Sequence, residues 1–410
     1  MAQVKPDIET FAKIKVIGVG GGGNHALSRM VASKIQGVEF IAVNADAQDL
    51  HHCQAPHKLL IGKNLTKGLG AGMNPDIGRQ AAEENRDEIQ EIVKGADLVF
   101  VTYGLGGGVG TGAGPVVAEA AKDAGALTVA VVTKPFSFEG RQRWRLAEEG
   151  LHYLQDKVDA LITIPNDKLL HIIDKNTSLL EGFKIVDDVL RQGVQGISDL
   201  IVKPGMVNVD FADVKAIMQE AGSALMGIGR AMGEDRAVEA AKMAINSPLL
   251  EISIDGAKGV LFNVSGGVDL TMAEINEAAK VITESIDPDA KVIFGAVTDD
   301  KIKKGEVKVT VIATGFASED EDDSPLANLN YGRANYEEDE ERSVPTKKDE
   351  RMERLERMER EEARAEEEKQ RKKTVAKVLP KKNFEAKASS LDDKDSEWDI
   401  PAFIRKKINR

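Results

Sequence analysis

Two glycine-rich segments contain the residues whose types and spacing are best suited to chemistry. Residues 103–115 read Tyr-Gly-Leu-Gly-Gly-Gly-Val-Gly-Thr-Gly-Ala-Gly-Pro, and residues 18–24 read Gly-Val-Gly-Gly-Gly-Gly-Asn. Because glycine has no Cβ atom, its backbone N–H groups can close around a phosphate oxygen, and a following helix N-terminus adds partial positive charge. Each segment follows an apolar run and precedes a run with helical spacing. We therefore predict that both segments bind phosphate.

The surrounding pattern predicts the elements that position these segments. Strands are predicted at 13–19, 38–44, 96–102, 127–133 and 159–164, and helices at 25–35, 75–94, 115–124 and after Glu139. Alternating strands and helices predict a parallel, doubly wound α/β sheet, in which ligands bind at the carboxyl ends of the strands. Both glycine segments fall at such ends, so we expect one polyphosphate to be held from two sides. Neither segment ends in the Gly-Lys-Ser/Thr of phosphate-loop NTPases.

The rest of the chain indicates a second domain followed by a charged region. A long amphipathic helix is predicted at 176–202, and further strands follow at 259–264, 292–297 and 307–313. After residue 316 the sequence is dense in charge and poor in large apolar residues, which favours disorder. The last residues become apolar and basic again, as in a docking peptide. The predicted divisions are an N-terminal extension (1–10), a nucleotide domain (11–175), a central helix (176–202), a second α/β domain (203–316), a linker (317–396) and the peptide (397–410).

Composition limits the class of protein. The chain has 410 residues and a net charge of -13, which argues against general nucleic-acid binding. Its single cysteine, Cys53, excludes an intramolecular disulfide framework and fits a reducing compartment. The sequence contains neither a signal peptide nor an apolar run of membrane-spanning length. We expect a cytosolic protein.

Two other chemistries are compatible with parts of the sequence. Gly18, Gly20 and Gly23 satisfy the dinucleotide fingerprint, with Asp46 near the expected distance, so a nicotinamide-dependent dehydrogenase is an alternative. A second cluster consists of ligand-type residues that could hold a transition metal: His51, His52, Cys53 and His57. No second ligand pair occurs elsewhere, and we predict no metal site made by the protein alone.

Three motifs in order give the chain a resemblance to the FtsZ family, the bacterial cell-division relatives of tubulin. They are Gly-Gly-Gly-Val-Gly-Thr-Gly at 106–112, Asn-Val-Asp-Phe-Ala-Asp at 208–213 and Asp-Ile-Pro-Ala-Phe at 399–403. The resemblance covers about 11–316 and the tail. It implies a tubulin-like fold, with a GTP-binding domain and a second α/β domain joined by a long central helix.

The same resemblance implies a function. Such proteins are GTPases that polymerise head to tail, bind Mg²⁺ with the nucleotide and form a cytoplasmic ring at the division site. Through residues 397–410 the chain would bind FtsA-type membrane tethers and other division regulators, so that its contact with the membrane is indirect. No nucleic-acid partner is implied.

Site residues follow from matching motif positions. The implied nucleotide contacts are Gly20, Gly21, Gly22, Gly23, Asn24, Gly106, Gly107, Gly108, Gly110, Thr111, Gly112, Glu139, Arg143 and Asp187. A carboxylate suits guanine because it accepts hydrogen bonds from N1 and the exocyclic amine; sequence alone does not separate Asp187 from Asp188. The implied catalytic residues come from the next subunit's loop: Asn208, Asp210 and Asp213. The last two also fit a helix N-terminal cap.

The chain departs from the family pattern at several positions outside this set of site residues. Val109 stands where a threonine is usual, which removes a hydroxyl donor near phosphate, and Tyr103, His25, Ala45 and Gly114 also differ. One neutral hydrogen bond contributes about 0.5–1.5 kcal/mol, so nucleotide binding should survive its loss. A family member that polymerises but hydrolyses little GTP is therefore a further alternative.

Overall fold

The computed structural model describes residues 12–170, 177–203, 205, 207, 209–247, 250, 253–299 and 302–316. The predicted N-terminal extension, the linker 317–396, the docking peptide 397–410 and Asn208 lie outside these residues. The structure therefore bears on the two predicted α/β regions and on the helix between them.

The first region alternates strands and helices. Its strands are β1 (Ile14–Val19), β2 (Val38–Asn44), β3 (His57–Leu60), β4 (Leu98–Gly104), β5 (Leu127–Lys134) and β6 (Ala160–Pro165). Its helices are α1 (Gly20–Ala32), α2 (Ala47–His52), α3 (Lys63–Thr66), α4 (Pro75–Glu84), α5 (Arg86–Val93), α6 (Gly108–Asp123), a 3-10 turn (Ser137–Glu139), α7 (Arg141–Gln155) and α8 (Asn166–Leu169). The predicted doubly wound pattern is confirmed for this region.

The strands of this region form a parallel sheet in the order β3-β2-β1-β4-β5-β6. Strands β1 and β4 are neighbours although they are not consecutive, so the strand order reverses between them. Leu27 and Met30 of α1 belong to the apolar core on one face of the sheet, whereas Val116 and Val117 of α6 belong to the core on the other face. The N-termini of α1 and α6 thus open onto one crevice at the carboxyl edge, the usual ligand position of doubly wound sheets.

The central helix, α9 (Leu179–Val202), is amphipathic and begins with a capping box. Ser178 accepts a hydrogen bond from the Glu181 amide, and the Glu181 carboxylate accepts one from the Ser178 amide. This arrangement satisfies two N-terminal donors and fixes the helix start. Val194 and Ile197 on its apolar face are fully buried. The helix was predicted to begin near residue 176, and its existence is confirmed.

The second region is mixed rather than purely parallel. It contains α10 (Phe211–Met218), β7 (Gly222–Met232), α11 (Arg236–Ile245), β8 (Gly259–Gly266), α12 (Met272–Thr283), β9 (Lys291–Thr298) and β10 (Glu306–Thr314). Strand β10 pairs antiparallel with both β7 and β8, while β8 and β9 are parallel. Strand β7 pairs with β6 through three residue pairs, beginning at Ala160 and Gly222. The ten strands therefore form one continuous sheet, and α9 packs against both β5 and β9.

Strand β7 and the helix predicted at 75–94 are among the differences from the sequence prediction. Strand β7 was not predicted, because Gly227 and Gly229 weaken its strand pattern. A Cβ atom at either position would lie 1.9 Å from a carbonyl oxygen of α11, so the glycines allow that helix to contact the strand directly. The single helix predicted at 75–94 is two helices separated by Asn85, whose side-chain oxygen accepts a hydrogen bond from the Gly62 amide at 2.8 Å.

Among the described residues, no helix has both the length and the apolar character needed to span a membrane.

Candidate functional site

The two glycine segments form the first turns of helices rather than loops before them. Helices were predicted to start at residues 25 and 115, but α1 starts at Gly20 and α6 at Gly108. Both predicted starts are wrong. Glycine costs about 1 kcal/mol relative to alanine inside a helix, so the sequence analysis placed both helix starts after the glycines. That cost is outweighed here because the two helices approach other backbone segments too closely for any side chain.

Contact distances at the glycines demonstrate this close approach. A Cβ atom at Gly20, where φ is +69°, would lie 2.9 Å from the Gly110 nitrogen. One at Gly23 would lie 2.4 Å from the Thr102 carbonyl oxygen, and one at Gly112 would lie 1.9 Å from the Pro75 carbonyl oxygen. The first turns of α1 and α6 therefore touch each other and the strand ends beneath them.

This convergence creates a position suited to an anion. The first N–H groups of a helix have no partner within the helix and carry partial positive charge. Neither first turn contains an acidic residue that would neutralise that charge. Gly21 and Gly22 are exposed, and Gly107 is partly exposed, so their backbone groups can be reached by a ligand. The arrangement can hold a polyphosphate between two helix N-termini.

Two predicted contacts, Glu139 and Arg143, lie beside the second glycine segment. Their side chains form an ion pair, with 2.8 Å between Arg143 Nη1 and Glu139 Oε2. A Cβ atom at Gly106 would lie 2.6 Å from the Arg143 carbonyl oxygen. Glu139 also accepts a hydrogen bond from the Phe136 amide at 3.0 Å. Thr111 is 4% exposed, and its hydroxyl has no partner within the described part of the chain.

A cavity of about 490 Å³ continues from the first glycine segment between α1, α2 and the start of α9. This volume is within the range of small-molecule sites. Its lining residues are Asn24, His25, Ser28, Arg29, Ala32, Asp49, His52, Cys53, Gln54, Leu180, Phe183, Lys184 and Asp187. Two predicted nucleotide contacts, Asn24 and Asp187, are therefore brought together on one cavity.

The structure distinguishes two aspartates that the sequence did not. Asp187 lines this cavity, and its Oδ2 lies 3.4 Å from Arg29 Nε. Burial raises the pKa of the Asp187 carboxyl, while the neighbouring Arg29 and His25 oppose that rise. Asp188 instead accepts hydrogen bonds from Arg191 and Gln192, each at 2.7 Å. Of these two carboxylates, Asp187 is the one that lines the cavity.

The predicted catalytic aspartates lie elsewhere. Asp210 caps α10, because its Oδ1 accepts a hydrogen bond from the Asp213 amide at 2.8 Å. Both side chains are exposed. None of the described residues that line the cavity comes from 209–218. The capping interpretation is confirmed for Asp210, and the two carboxylates are free to face another molecule.

Buried amides lie at the site, and two of them, Asn166 and Asn44, were missed by the sequence analysis. Asn166 directly follows β6, is 5% exposed, and its side-chain oxygen has no partner among the residues described. Asn44 ends β2 and donates to Asp49 Oδ2 at 2.7 Å. The Asn24 side-chain oxygen is likewise buried without a partner in the described chain. The signal that could have found Asn44 and Asn166 is an asparagine at or immediately after the end of a buried strand.

The cluster of ligand-type residues is dispersed. Within the described ranges, no group of three or more such side chains is arranged to hold a metal ion. Cys53 is buried and contacts Ser28 Oγ at 3.4 Å, whereas His51 and His52 are exposed on α2. His57 lies on β3, where its Nε2 is 3.6 Å from Glu39 Oε1.

The unusual residues Tyr103 and Gly114 contact each other. Tyr103 is 0% exposed, and burial raises the pKa of its hydroxyl, which has no partner in the described residues. A Cβ atom at Gly114 would lie 2.3 Å from Tyr103 Cε1. The ring therefore occupies the space where an alanine at position 114 would project. Val109, the third departure, is 9% exposed and packs in the same apolar core.

Asp46 does not behave as a ribose-binding residue of a dehydrogenase would. It caps α2, accepting hydrogen bonds from the amides of Gln48 and Asp49 at 2.9 and 3.1 Å. The glycines of the dinucleotide fingerprint therefore lie at the start of α1, and its acidic residue serves as the cap of α2.

Comparison with known proteins agrees with this geometry. The model of the Tubulin/FtsZ family GTPase domain matches residues 13–174, and the model of the FtsZ family C-terminal domain matches residues 222–317. An empty FtsZ dimer from M. jannaschii is 49% identical, with 75% of this chain and 89% of that chain covered and a TM-score of 0.72. A GTPgS-bound protofilament of CetZ2 from Haloferax volcanii shares the fold at 21% identity, with 75% and 94% covered and a TM-score of 0.64.

The family assignment removes the dehydrogenase alternative, because the matched domain is one of GTPases. The two glycine turns and the α1 and α2 walls of the cavity fall within the residues matched by the first model, and strands β7 to β10 fall within those matched by the second. With nearly half of its residues identical to FtsZ over three quarters of its length, this chain belongs to the FtsZ branch of the tubulin-like GTPases.

Proposed function

We propose that the protein binds GTP at the crevice between α1 and α6 and polymerises head to tail. In this proposal GTP is hydrolysed only where one subunit meets the next. The main observation behind this proposal is that the glycine-rich N-termini of α1 and α6 converge beside a cavity that Asp187 lines.

The site's own chemistry supports guanine as the base. An ionised Asp187 would accept hydrogen bonds from N1 and the exocyclic amine of guanine, and adenine does not offer donors in that arrangement. Arg29, 3.4 Å away, favours the ionised form against the effect of burial. The glycine turns would hold the phosphates, while Glu139 and Arg143 would contact the ribose side.

The position of the predicted catalytic loop supports a shared active site. Asp210 and Asp213 are exposed and are absent from the cavity lining, so they are suited to a neighbour's phosphate rather than to their own. There, together with Asn208, they would orient and polarise the attacking water. The relatives known as a dimer and as a protofilament support self-association of this chain.

We also propose that Mg²⁺ binds with the nucleotide. The described residues contain no cluster of three carboxylate, histidine or cysteine side chains that could hold the ion alone. The ion would be held mainly by phosphate oxygens and water, as Mg²⁺ usually is. When bound, the ion would neutralise phosphate charge, and the glycine turns would position the phosphates.

A second candidate function is polymerisation with little hydrolysis. It is favoured by Val109, which places an apolar side chain in the second glycine turn where the family has a hydroxyl.

In either case we propose that the filaments form the division ring at midcell in the cytoplasm. Residues 397–410 would attach them to FtsA-type membrane tethers and other division regulators.

Phosphate release measured against protein concentration tests the proposal. With GTP and Mg²⁺ present, the rate per subunit should be near zero at low concentration and rise steeply where light scattering reports filaments. A rate per subunit that is constant across the concentration series would refute the shared active site. Filaments without phosphate release would favour the second candidate.

A further inference from the structure

The cavity contains an ion pair that none of the proposed roles uses. His25, in the second turn of α1, lies with its Nε2 3.4 Å from Asp49 Oδ1 on α2. The His25 side chain is 70% exposed, and both residues line the cavity. No partner for the other ring nitrogen, Nδ1, occurs in the described chain. The ring is therefore held at one end and has a free nitrogen at the other.

Asp49 is itself held in place by two side-chain amides. Its Oδ2 accepts hydrogen bonds from Asn44 at the end of β2, at 2.7 Å, and from Asn24 on α1, at 3.4 Å. Three polar contacts thus converge on this carboxylate: two side-chain amides and the imidazole. Because each partner comes from a fixed helix or strand, Asp49 is a rigid anchor for the His25 ring.

The charges around the ring favour its protonated form. Asp49 on α2 faces it directly, and Asp187 on α9 acts from across the cavity. The other ionisable groups on the cavity wall are Arg29, His52, Cys53 and Lys184. The hydrogen bond to Asp49 raises the pKa of His25, and the same contact lowers the pKa of Asp49. The pair thus favours an imidazolium next to a carboxylate more than an isolated histidine would.

We propose that His25 is a nucleotide-binding residue of this cavity and that its imidazolium donates a hydrogen bond from Nδ1 to a phosphate oxygen. The inference rests on the proposed GTP site. His25 follows Asn24 immediately after the first glycine turn, so it stands between the phosphate position and the cavity that holds Asp187. Asp49 is a positioning residue that keeps the ring oriented and charged.

A protonation-dependent contact has a specific consequence. Phosphate charge raises the pKa of His25 further, so binding takes up a proton wherever the free protein has lost it. Because the pKa of His25 is raised above 6.5 and not lowered, affinity should be full below that value and fall as pH rises through the folded-state pKa. A charge-assisted hydrogen bond of this type corresponds to about a tenfold change in affinity.

The test is calorimetric titration of GDP into the full-length protein from pH 6 to pH 9, in buffers of different ionisation enthalpy. The wild type should lose about tenfold in affinity across this range and show proton uptake near the midpoint. His25→Gln should bind weakly at every pH without that proton uptake. Asp49→Asn should move the midpoint to lower pH, which a merely structural role would not do.

His57→Gln is the matched control, because His57 also pairs with a carboxylate, Glu39, but does not line the cavity. It should titrate like the wild type. Equal pH dependence and proton uptake in wild type and His25→Gln would overturn the inference while leaving the GTP site intact. Failure of the wild type to bind GDP at any pH would instead overturn the proposed function, and the inference with it.

Discussion

Asp210 has two roles in the proposed mechanism, and one substitution separates them. Its Oδ1 caps α10 by accepting from the Asp213 amide at 2.8 Å, and its charge is proposed to act on a neighbour's phosphate. Asparagine caps a helix about as well as aspartate does, but it cannot act as a base. Asp210→Asn therefore keeps the cap and removes the carboxylate, whereas Asp210→Ala removes both.

The expected magnitudes differ for the two variants. Loss of the cap costs about 1 kcal/mol, which lowers Tm by roughly 2–4 °C in a domain of this size. Asp210→Ala should show that loss, and Asp210→Asn should melt within about 1 °C of the wild type. Loss of a base or water-orienting group lowers the rate by about 10²–10⁴-fold, so both variants should hydrolyse GTP equally slowly.

Three measurements check this reasoning: thermal unfolding by circular dichroism, GDP affinity of the monomer, and phosphate release by sedimentable filaments. GDP affinity should be unchanged in both variants, because Asp210 is exposed and does not line the subunit's own cavity. Filaments should last longer. If Asp210→Asn weakens GDP binding of the monomer tenfold, or hydrolyses GTP at the wild-type rate, the shared active site is refuted.

Three further predictions concern other parts of the chain. Val109→Thr restores a hydroxyl in the second glycine turn and should raise GTP affinity or turnover about 2–10-fold, measured by nucleotide titration and phosphate release; lower values of both would contradict it. Truncation after Phe316 should preserve GTP binding and assembly but abolish co-sedimentation with tether-coated vesicles, and Phe403→Ala alone should weaken that recruitment by more than about 2 kcal/mol; equal recruitment would exclude the tail as the docking element. Burial and the nearby cation of Arg230 lower the pKa of Lys308 from 10.5 to about 8, so the folded state binds fewer protons than the unfolded state between these values. Lys308→Met should therefore raise the free energy of unfolding by about 1–3 kcal/mol at pH 7 and by less at pH 10, as urea denaturation would measure; an equal change at both pH values would be evidence against it.

The sequence predicted the alternating first region because buried parallel strands are continuous apolar runs with clear limits. Strand β2 was predicted at 38–44 and is observed as Val38–Asn44. Strand β7 was missed because its glycines matter only through contacts with α11, which are distant in sequence. Helix starts at Gly20 and Gly108 were missed for the same reason, since local propensity opposes a helix that tertiary contacts require.

The candidate site was predicted unevenly for physical reasons. Backbone-based sites are visible as glycine patterns, so both turns could be recognised from the sequence. Side-chain contacts across the fold were not visible: His25 meets Asp49, and Asp187 meets Arg29, only after α1, α2 and α9 come together. Sequence separation also hid the buried amide of Asn166, which reaches the carboxyl edge of the sheet from β6.

The contact between Tyr103 and Gly114 makes the residue types at these two positions depend on each other. The buried ring cannot move aside for a Cβ atom only 2.3 Å from Cε1, so tyrosine at 103 and alanine at 114 exclude each other. A methyl group at 114 would therefore require a smaller side chain at 103, and a tyrosine at 103 requires glycine at 114. The two departures from the family pattern are thus a coupled pair, and neither residue can be exchanged for the family's usual one without regard to the other.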